Sequence, residues 1–242
     1  MTRTCVPTVS HVSGVGAAKK HLRQQAEKSL RNLKVEVIDL FQLHRIDAAY
    51  PIADQVGELK ALQDEGKIRH IGLSEVSVAE IEAARKIVPI VSVQNLYNLV
   101  ERKSEDVLDY CEREGIGQIV YSPLAQGLLT NKYLGGIPKD SRAAQGKSLD
   151  PHQLSAANLE RIRQLDAIAK RRGQTLAQMA LAWVLRGKRL TSALIGASRP
   201  EQIVDCVASL KNPDFTAQEL AEIDQYAVEG GVNLWSASAE RD

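Results

Sequence analysis

The sequence predicts an α/β fold built on parallel strands, and three observations predict it. Apolar runs alternate with helix-patterned segments along most of the chain, the order that gives a parallel sheet with crossover helices. The runs are near-continuous in apolar residues, as parallel strands buried on both faces are. Polar side chains collect where the runs end, and in any parallel α/β fold those ends lie on one face, where sites are built.

Composition bounds the rest. The chain has 242 residues, 44% hydrophobic and 25% charged, ordinary for a soluble globular protein. A formal net charge of +1 gives no electrostatic case for nucleic acid or a membrane surface. Aromatic content of 4% argues against stacking platforms for single-stranded nucleic acid. No run approaches the roughly 18 apolar residues of a membrane span, and the start, MTRTCVPTVSHVSGVG, has no apolar h-region. Cys5, Cys111 and Cys206 are scattered, without metal spacing, which suggests reduced thiols and a cytoplasmic protein.

Residues 1–18 lack periodicity and read as an irregular start. The spacing of Leu22, Ala26, Leu30 and Leu33 predicts a helix over Lys19–Leu33. A buried strand is expected at Val37–Leu43, a helix over Ile52–Glu65 stopped by Gly66, and a strand over Ile68–Leu73. A helix follows at Val78–Lys86, then a strand over Ile87–Val93 interrupted by Pro89. Ser104–Glu114 is the next helix, closed by Gly115, and Ile116–Tyr121 the next strand. Ser122 to about Leu154 is long, irregular and rich in Gly and Pro, a length that marks function or disorder. Helices near 156–171 and 175–186, a short strand at Ala193–Ile195, and helices over Pro200–Leu210 and Thr216–Val228 complete the pattern. Thr216 with Glu219 spells a capping box. The organisation expected is a 1–18 segment, one domain over 19–228 and a 229–242 tail. Five strands suit an open doubly wound sheet, whereas a closed barrel needs eight.

Every strand delivers polar residues at its end: His44 and Asp47, Ser74 and Glu75, Gln94 and Asn95, Tyr121 and Ser122, Ser198 and Arg199. Singly, each has a plain structural role as cap, turn-former or rim residue. Together they make an inventory. Ser74 and Gln94 can hydrogen-bond a carboxamide, and Tyr121 can stack on a planar heterocycle. The loop PLAQGLL offers backbone N–H groups to a pyrophosphate. Ser198 and Arg199, just before a helix, can hold a phosphate. The set fits a phosphorylated dinucleotide. No G-x-G-x-x-G is present, so a Rossmann pocket is not supported.

Five segments, VIDLFQLHRID, IRHIGLSE, VSVQNLYNL, YSPLAQGLLTNKY and LIGASRPEQI, resemble in this order those of the aldo-keto reductases. The resemblance runs from about residue 19 to about 228. It implies a (β/α)₈ TIM barrel of aldo-keto reductase type, incomplete here, retaining about five parallel strands as strands four to eight. It also implies NADPH as cofactor, a small carbonyl substrate and reduction of an aldehyde or ketone to an alcohol. His44 then matches the histidine of the catalytic tetrad. Ser74 and Gln94 match contacts to the nicotinamide carboxamide, and Tyr121 the residue stacked under the nicotinamide. Ser122, Leu124, Gln126 and Gly127 match the pyrophosphate loop. Gly196, Ser198, Arg199 and Gln202 match the segment that grips the adenosine 2′-phosphate, with Arg199 favouring NADP. Asp205 and Cys206 stand where the family usually has Glu-Asn near the adenine.

Residues 1–36 hold nothing similar to the family's first three strands, and none of the six tyrosines stands in the tetrad motif. The expectation is therefore an N-terminally truncated barrel without the tetrad Asp, Tyr and Lys, impaired in turnover and open to self-association through exposed strand edges. A non-catalytic nucleotide-binding or interaction remnant of the family is the alternative.

Overall fold

A computed structural model describes residues 2–3, 19–137 and 154–229. The chain divides into two compact units, Met1–Asn95 with Asp106–Gln118, and Leu96–Glu105 with Ile119–Asp242. The predicted strands and helices are all present, and one short strand is added.

The first unit carries four parallel strands in chain order: β1 (Thr2–Arg3), β2 (Ile38–Leu43), β3 (Ile68–Ser74) and β4 (Ile90–Leu96, whose last residue falls in the second unit). The irregular start thus needs one correction, because Thr2 and Arg3 pair with Phe41 and Gln42. Residues 4–18 lie outside the described residues. Helices α1 (Lys19–Leu33), α2 (Ile52–Asp64), α3 (Val78–Arg85) and α4 (Glu105–Arg113) belong here too. Leu22 and Ala26 of α1, Val56, Leu59 and Leu62 of α2 and Ile81 and Ala84 of α3 bury against Phe41, Leu43, Ile71, Leu73 and Val93.

Local chemistry sets the boundaries. Gly66, at φ +73°, ends α2, and the Lys67 N–H closes back on Leu62 O at 3.0 Å. Ser77 and Glu80 form a capping box on α3. Gly115, at φ +67°, ends α4, with Ile116 N–H on Cys111 O at 2.9 Å. β4 begins after Pro89 instead of at Ile87, since proline has no N–H for the ladder. Gln94 and Asn95 consequently lie inside the strand. A register shift between Ile71 and Gly72, where Ile90 opposes Ile71 but Ser92 opposes Gly72, adds a residue to β4 and re-aims the side chains beyond it.

The second unit contains the end of β5 (Gly117–Tyr121) paired parallel with β6 (Ser192–Leu194). Helices α5 (Ala156–Arg171), α6 (Leu176–Leu185), α7 (Pro200–Ala208) and α8 (Ala217–Tyr226) accompany them. α6 is buried from Leu176 to Val184 except Gln178, which fits its near-continuous apolar sequence. Thr175 with Gln178 and Thr216 with Glu219 cap α6 and α8 by the same reciprocal box. Tyr97 stacks on Trp183 with ring centroids 5.3 Å apart. The Tyr97 hydroxyl donates to Glu105 Oε1 at 2.9 Å and accepts from Arg186 and Arg189 at 3.3 Å each. Arg172, between α5 and α6, donates to Glu219 Oε1 (2.6 Å), Gln174 Oε1 (2.9 Å) and the carbonyls of Asn212 (3.2 Å) and Asp214 (2.8 Å). Its guanidinium lies 3.8 Å from the Phe215 ring centroid. No described helix is long and apolar enough to cross a membrane.

Candidate functional site

In the first unit the polar residues form rows across the sheet. Gln42, Gly72 and Ser92 are register neighbours on β2, β3 and β4, and Ser74 and Gln94 are neighbours two residues further along. Gln42 Nε2 donates to Ser92 Oγ at 3.2 Å, passing over Gly72. A Cβ on Gly72 would overlap Ser92 Oγ and come within 2.9 Å of Gln42 Cγ. The glycine is there because the bond crosses it.

One step beyond that row, Ser74 and Gln94 are both buried. Ser74 Oγ has no hydrogen-bond partner among the described residues. Leaving a buried hydroxyl unpaired costs about 1–3 kcal/mol, so a bound amide or carbonyl would relieve it. The strand turns immediately after. Glu75 takes φ +55°, and its N–H is held by Gln94 O (3.1 Å) and Asn95 Oδ1 (2.9 Å). Asn95, which sequence reading treats as a turn-former, is thus the side chain that fixes this left-handed turn.

His44 follows the last residue of β2 and is half-buried. The loop it opens is pinned by Gln55 of α2, fully buried. Gln55 Oε1 accepts from Asp47 N–H at 3.1 Å, and its Nε2 donates to the carbonyls of Asp47 (2.9 Å) and Tyr50 (2.8 Å). Sequence reading missed Gln55, although a polar residue beside Val56 on the buried stripe of α2 was a usable signal. Gln55→Leu is expected to cost about 1–3 kcal/mol of stability and to speed hydrogen exchange at the Asp47 amide. Unchanged exchange there would remove Gln55 as a support of the His44 loop.

In the second unit the chain leaves β5 at Tyr121 and curls. Ser122 (φ +51°), Ala125 (φ +44°), Gln126 (φ +58°) and Gly127 (φ +99°) all adopt left-handed backbone, unusual for three non-glycine residues so close together. N–H groups of Ala125, Gly127, Leu128 and Leu129 close on the carbonyls of Ser122, Leu124, Ala125 and Leu124 at 2.9–3.2 Å. Thr130 Oγ1 donates to Gly127 O at 2.6 Å. Asn98 Nδ2 donates to Ser122 O at 3.0 Å. Gln126 Oε1 is buried without a partner among the described residues. The bonds within the curl use four of its N–H groups on its own carbonyls, so an anion could be met only by donors of the curl not engaged in them. Residues 138–153 of the predicted irregular stretch lie outside the described residues.

After β6 come Gly196, Ser198 and Arg199. Gln202 Oε1 accepts from Ser198 N–H (2.8 Å), Ser198 Oγ (3.2 Å) and Arg199 N–H (3.3 Å). Ser198, Arg199 and Gln202 are thus brought together at the start of α7, with Arg199 exposed. Asp205 turns elsewhere. Its carboxylate accepts from Gln178 Nε2 at 2.6 Å and Thr175 Oγ1 at 3.4 Å at the N-terminus of α6. Burial, then the Asp205 charge, pushes the Cys206 thiol up, and burial pushes Cys111 up to about 11. Neither offers a thiolate nucleophile near neutral pH.

Within the first unit a buried hydroxyl without a partner among the described residues, Ser74 Oγ, lies beside Gln94; within the second, the backbone curls left-handed after β5 and an exposed arginine starts α7.

The sequence model of the Aldo/keto reductase family matches residues 3–228. The chain is 39% identical over 239 residues to L-glyceraldehyde 3-phosphate reductase of Escherichia coli K12, covering 94% of this chain and 69% of that protein. The same enzyme of Escherichia coli O157:H7 is 38% identical over the same length. Among solved structures, the glycerol dehydrogenase of Gluconobacter oxydans superposes with a TM-score of 0.73 at 31% identity, covering 88% of this chain and 65% of that one. The chain thus spans about two thirds of the length of these relatives. The expectation that the first three strands are missing draws no support from the family match, which covers nearly the whole chain.

Proposed function

The chain belongs to the aldo/keto reductase family, a family of oxidoreductases, and from that premise we propose that it binds NADPH and carries a site for reducing a short hydroxylated aldehyde or ketone. The observation that carries the reading is Ser74 Oγ, buried and unpaired in register with Gln94. The hydroxyl and the Gln94 amide would take the nicotinamide carboxamide, and Tyr121 would support the ring face. The Ser122–Gly127 curl would take the pyrophosphate. Arg199 with Ser198 would take the 2′-phosphate, the group that separates NADP from NAD. Bound NADPH supplies a hydride to the carbonyl carbon. His44 would orient the carbonyl oxygen. The substrate class comes from the names of the relatives, and a cytoplasmic setting accompanies it.

A second reading, nucleotide binding without efficient turnover, has its own support. Reduction needs a proton donor at the carbonyl oxygen, none of the six tyrosines stands in the tetrad motif, and two of them have hydroxyls engaged elsewhere. Tyr97 is bound to Glu105 and two arginines. Tyr110 accepts from Arg85 at 2.9 Å. Tyr133 is buried beside Gly127. General acid catalysis contributes about 10²–10⁴-fold, so glyceraldehyde reduction by this chain is expected to run below that of a tetrad-bearing relative by a factor of that order.

One titration and one assay separate the readings. NADPH fluorescence should report saturable binding. Ser74→Ala should weaken it severalfold. Arg199→Ala should weaken NADPH but leave NADH unaffected. Absence of binding sinks the cofactor reading, and full turnover with glyceraldehyde sinks the second.

A further inference from the structure

Asn98 and Glu101 close a short antiparallel bridge, with Asn98 N–H on Glu101 O at 3.0 Å and Glu101 N–H on Asn98 O at 3.2 Å. Asn98 is 1% exposed, and its side chain works in two directions. Oδ1 accepts from Val100 N–H at 2.9 Å, which fixes the turn, and Nδ2 donates to Ser122 O at 3.0 Å. Ser122 is where the left-handed curl begins. The bridge therefore holds the first carbonyl of that loop.

The other end of the bridge carries a buried acid. Glu101 is 2% exposed, and its Oε2 has no partner among the described residues. A second carboxylate lies beside it. Glu229, three residues after α8, accepts the Arg102 N–H on Oε2 at 3.2 Å, which puts it against the peptide bond that follows Glu101. Lys103 balances the pair only in part, pairing with Glu229 and giving its backbone N–H to Glu101. Lys103 Nζ stands 4.0 Å from Glu229 Oε1 and is itself exposed. The Arg102 guanidinium is taken by Glu105 at 2.9 Å and Asp224 at 2.7 Å. Glu229 is exposed, but its charge beside the buried Glu101 disfavours ionisation of Glu101. Burial first, and the Glu229 charge second, push the Glu101 carboxyl up to about 7, with Lys103 opposing.

We propose that Asn98 is a positioning residue for the Ser122–Gly127 loop, and that a proton on Glu101, donated to Glu229, keeps the Asn98–Glu101 bridge closed. The protonated acid donates O–H to the other carboxylate, and both oxygens gain a partner. Loss of that proton sets two negative charges side by side at the bridge, and the strain is relieved by opening it. Because the folded-state proton affinity is raised, the contribution is fully present below the ordinary carboxylate range and is lost as pH rises through about 7. The loop should loosen in the same interval. Its consequence for affinity rests on the reading of that loop as the NADPH pyrophosphate site, whereas the clasp itself does not.

The full chain is compared with Glu101→Gln and Asn98→Ala at pH 5.5 and 8.5, by hydrogen exchange of the 122–129 amides corrected for intrinsic rates, and by NADPH fluorescence titration. In the unsubstituted protein, protection of the loop should fall and NADPH binding should weaken about tenfold at the higher pH, the scale of one lost hydrogen bond. Glu101→Gln, which carries the neutral form permanently, should keep its protection at both pH values. It should retain only the pH dependence that the 2′-phosphate itself brings. Asn98→Ala should leave the loop exchanging fast at both. Identical exchange profiles for the unsubstituted protein and Glu101→Gln would overturn the proposal, even if Asn98→Ala failed to fold. If NADPH binds at neither pH, the cofactor reading fails, and exchange alone still decides the clasp.

Discussion

Replacing Gly72 by alanine is expected to destabilise the protein by about 3 kcal/mol, near the upper end of overpacking effects. The position looks harmless from its neighbours in sequence. On the sheet, however, the Gln42–Ser92 hydrogen bond runs directly over it at 3.2 Å, and a methyl group would overlap Ser92 Oγ. Either the serine rotates and the buried bond is lost, or the strands separate. Chemical denaturation of Gly72→Ala measures the loss. The double variant Gly72→Ala with Ser92→Ala removes the obstructing oxygen and should recover about 1 kcal/mol relative to simple addition of the two effects. A Gly72→Ala protein as stable as the original would mean that the row is not packed as described.

The second large effect is expected at Arg172. Its side chain is 4% exposed and is compensated by Glu219, two carbonyls and Gln174, with the Phe215 ring on its face. Truncation to alanine takes the arginine donor from Glu219 Oε1 and the Asp214 carbonyl, while the Asn212 carbonyl keeps Gln174 Nε2 at 3.1 Å, and breaking a pair buried on its arginine side costs about 3 kcal/mol, the low end of the buried range. Lysine should rescue little, because a point charge cannot reproduce a planar fork that donates in several directions while lying on an aromatic ring. Calorimetric melting of Arg172→Ala and Arg172→Lys tests both statements. Full rescue by lysine would reduce the role of Arg172 to its charge.

Neither residue announces itself in the sequence, and the reason is physical. Helix ends are written locally: Ser77 with Glu80, Thr216 with Glu219, and glycines at 66 and 115 each specify a boundary within a few residues. Those boundaries are legible, and so are His44 and Ser74 at the ends of β2 and β3 and Tyr121 at the end of β5. Register is not local. Gly72 matters only because β2 and β4 bring Gln42 and Ser92 to either side of it. Sequence pattern places the start of β4 three residues too early, since the apolar run continues through a proline that cannot join the ladder. The clamp at Asn98 is half legible. Its bond to Val100 N–H is ordinary turn chemistry, but its bond to Ser122 O spans 24 residues of sequence. Asp205 shows the same division. Its place in a family motif is legible, but the bonds of its carboxylate to Gln178 and Thr175, 27 and 30 residues away in sequence, are not.

The left-handed run from Ser122 to Gly127 bears on the thermodynamics of capture. A glycine-rich loop would reach the same shape only by surrendering conformational freedom when its ligand arrives. Ser122, Ala125 and Gln126 have already given up that freedom during folding, at about 1 kcal/mol each. A ligand that met this loop would find its backbone set in advance, so little ordering entropy would be charged to the encounter. Heat measured on binding would then report contacts made, not a loop being organised.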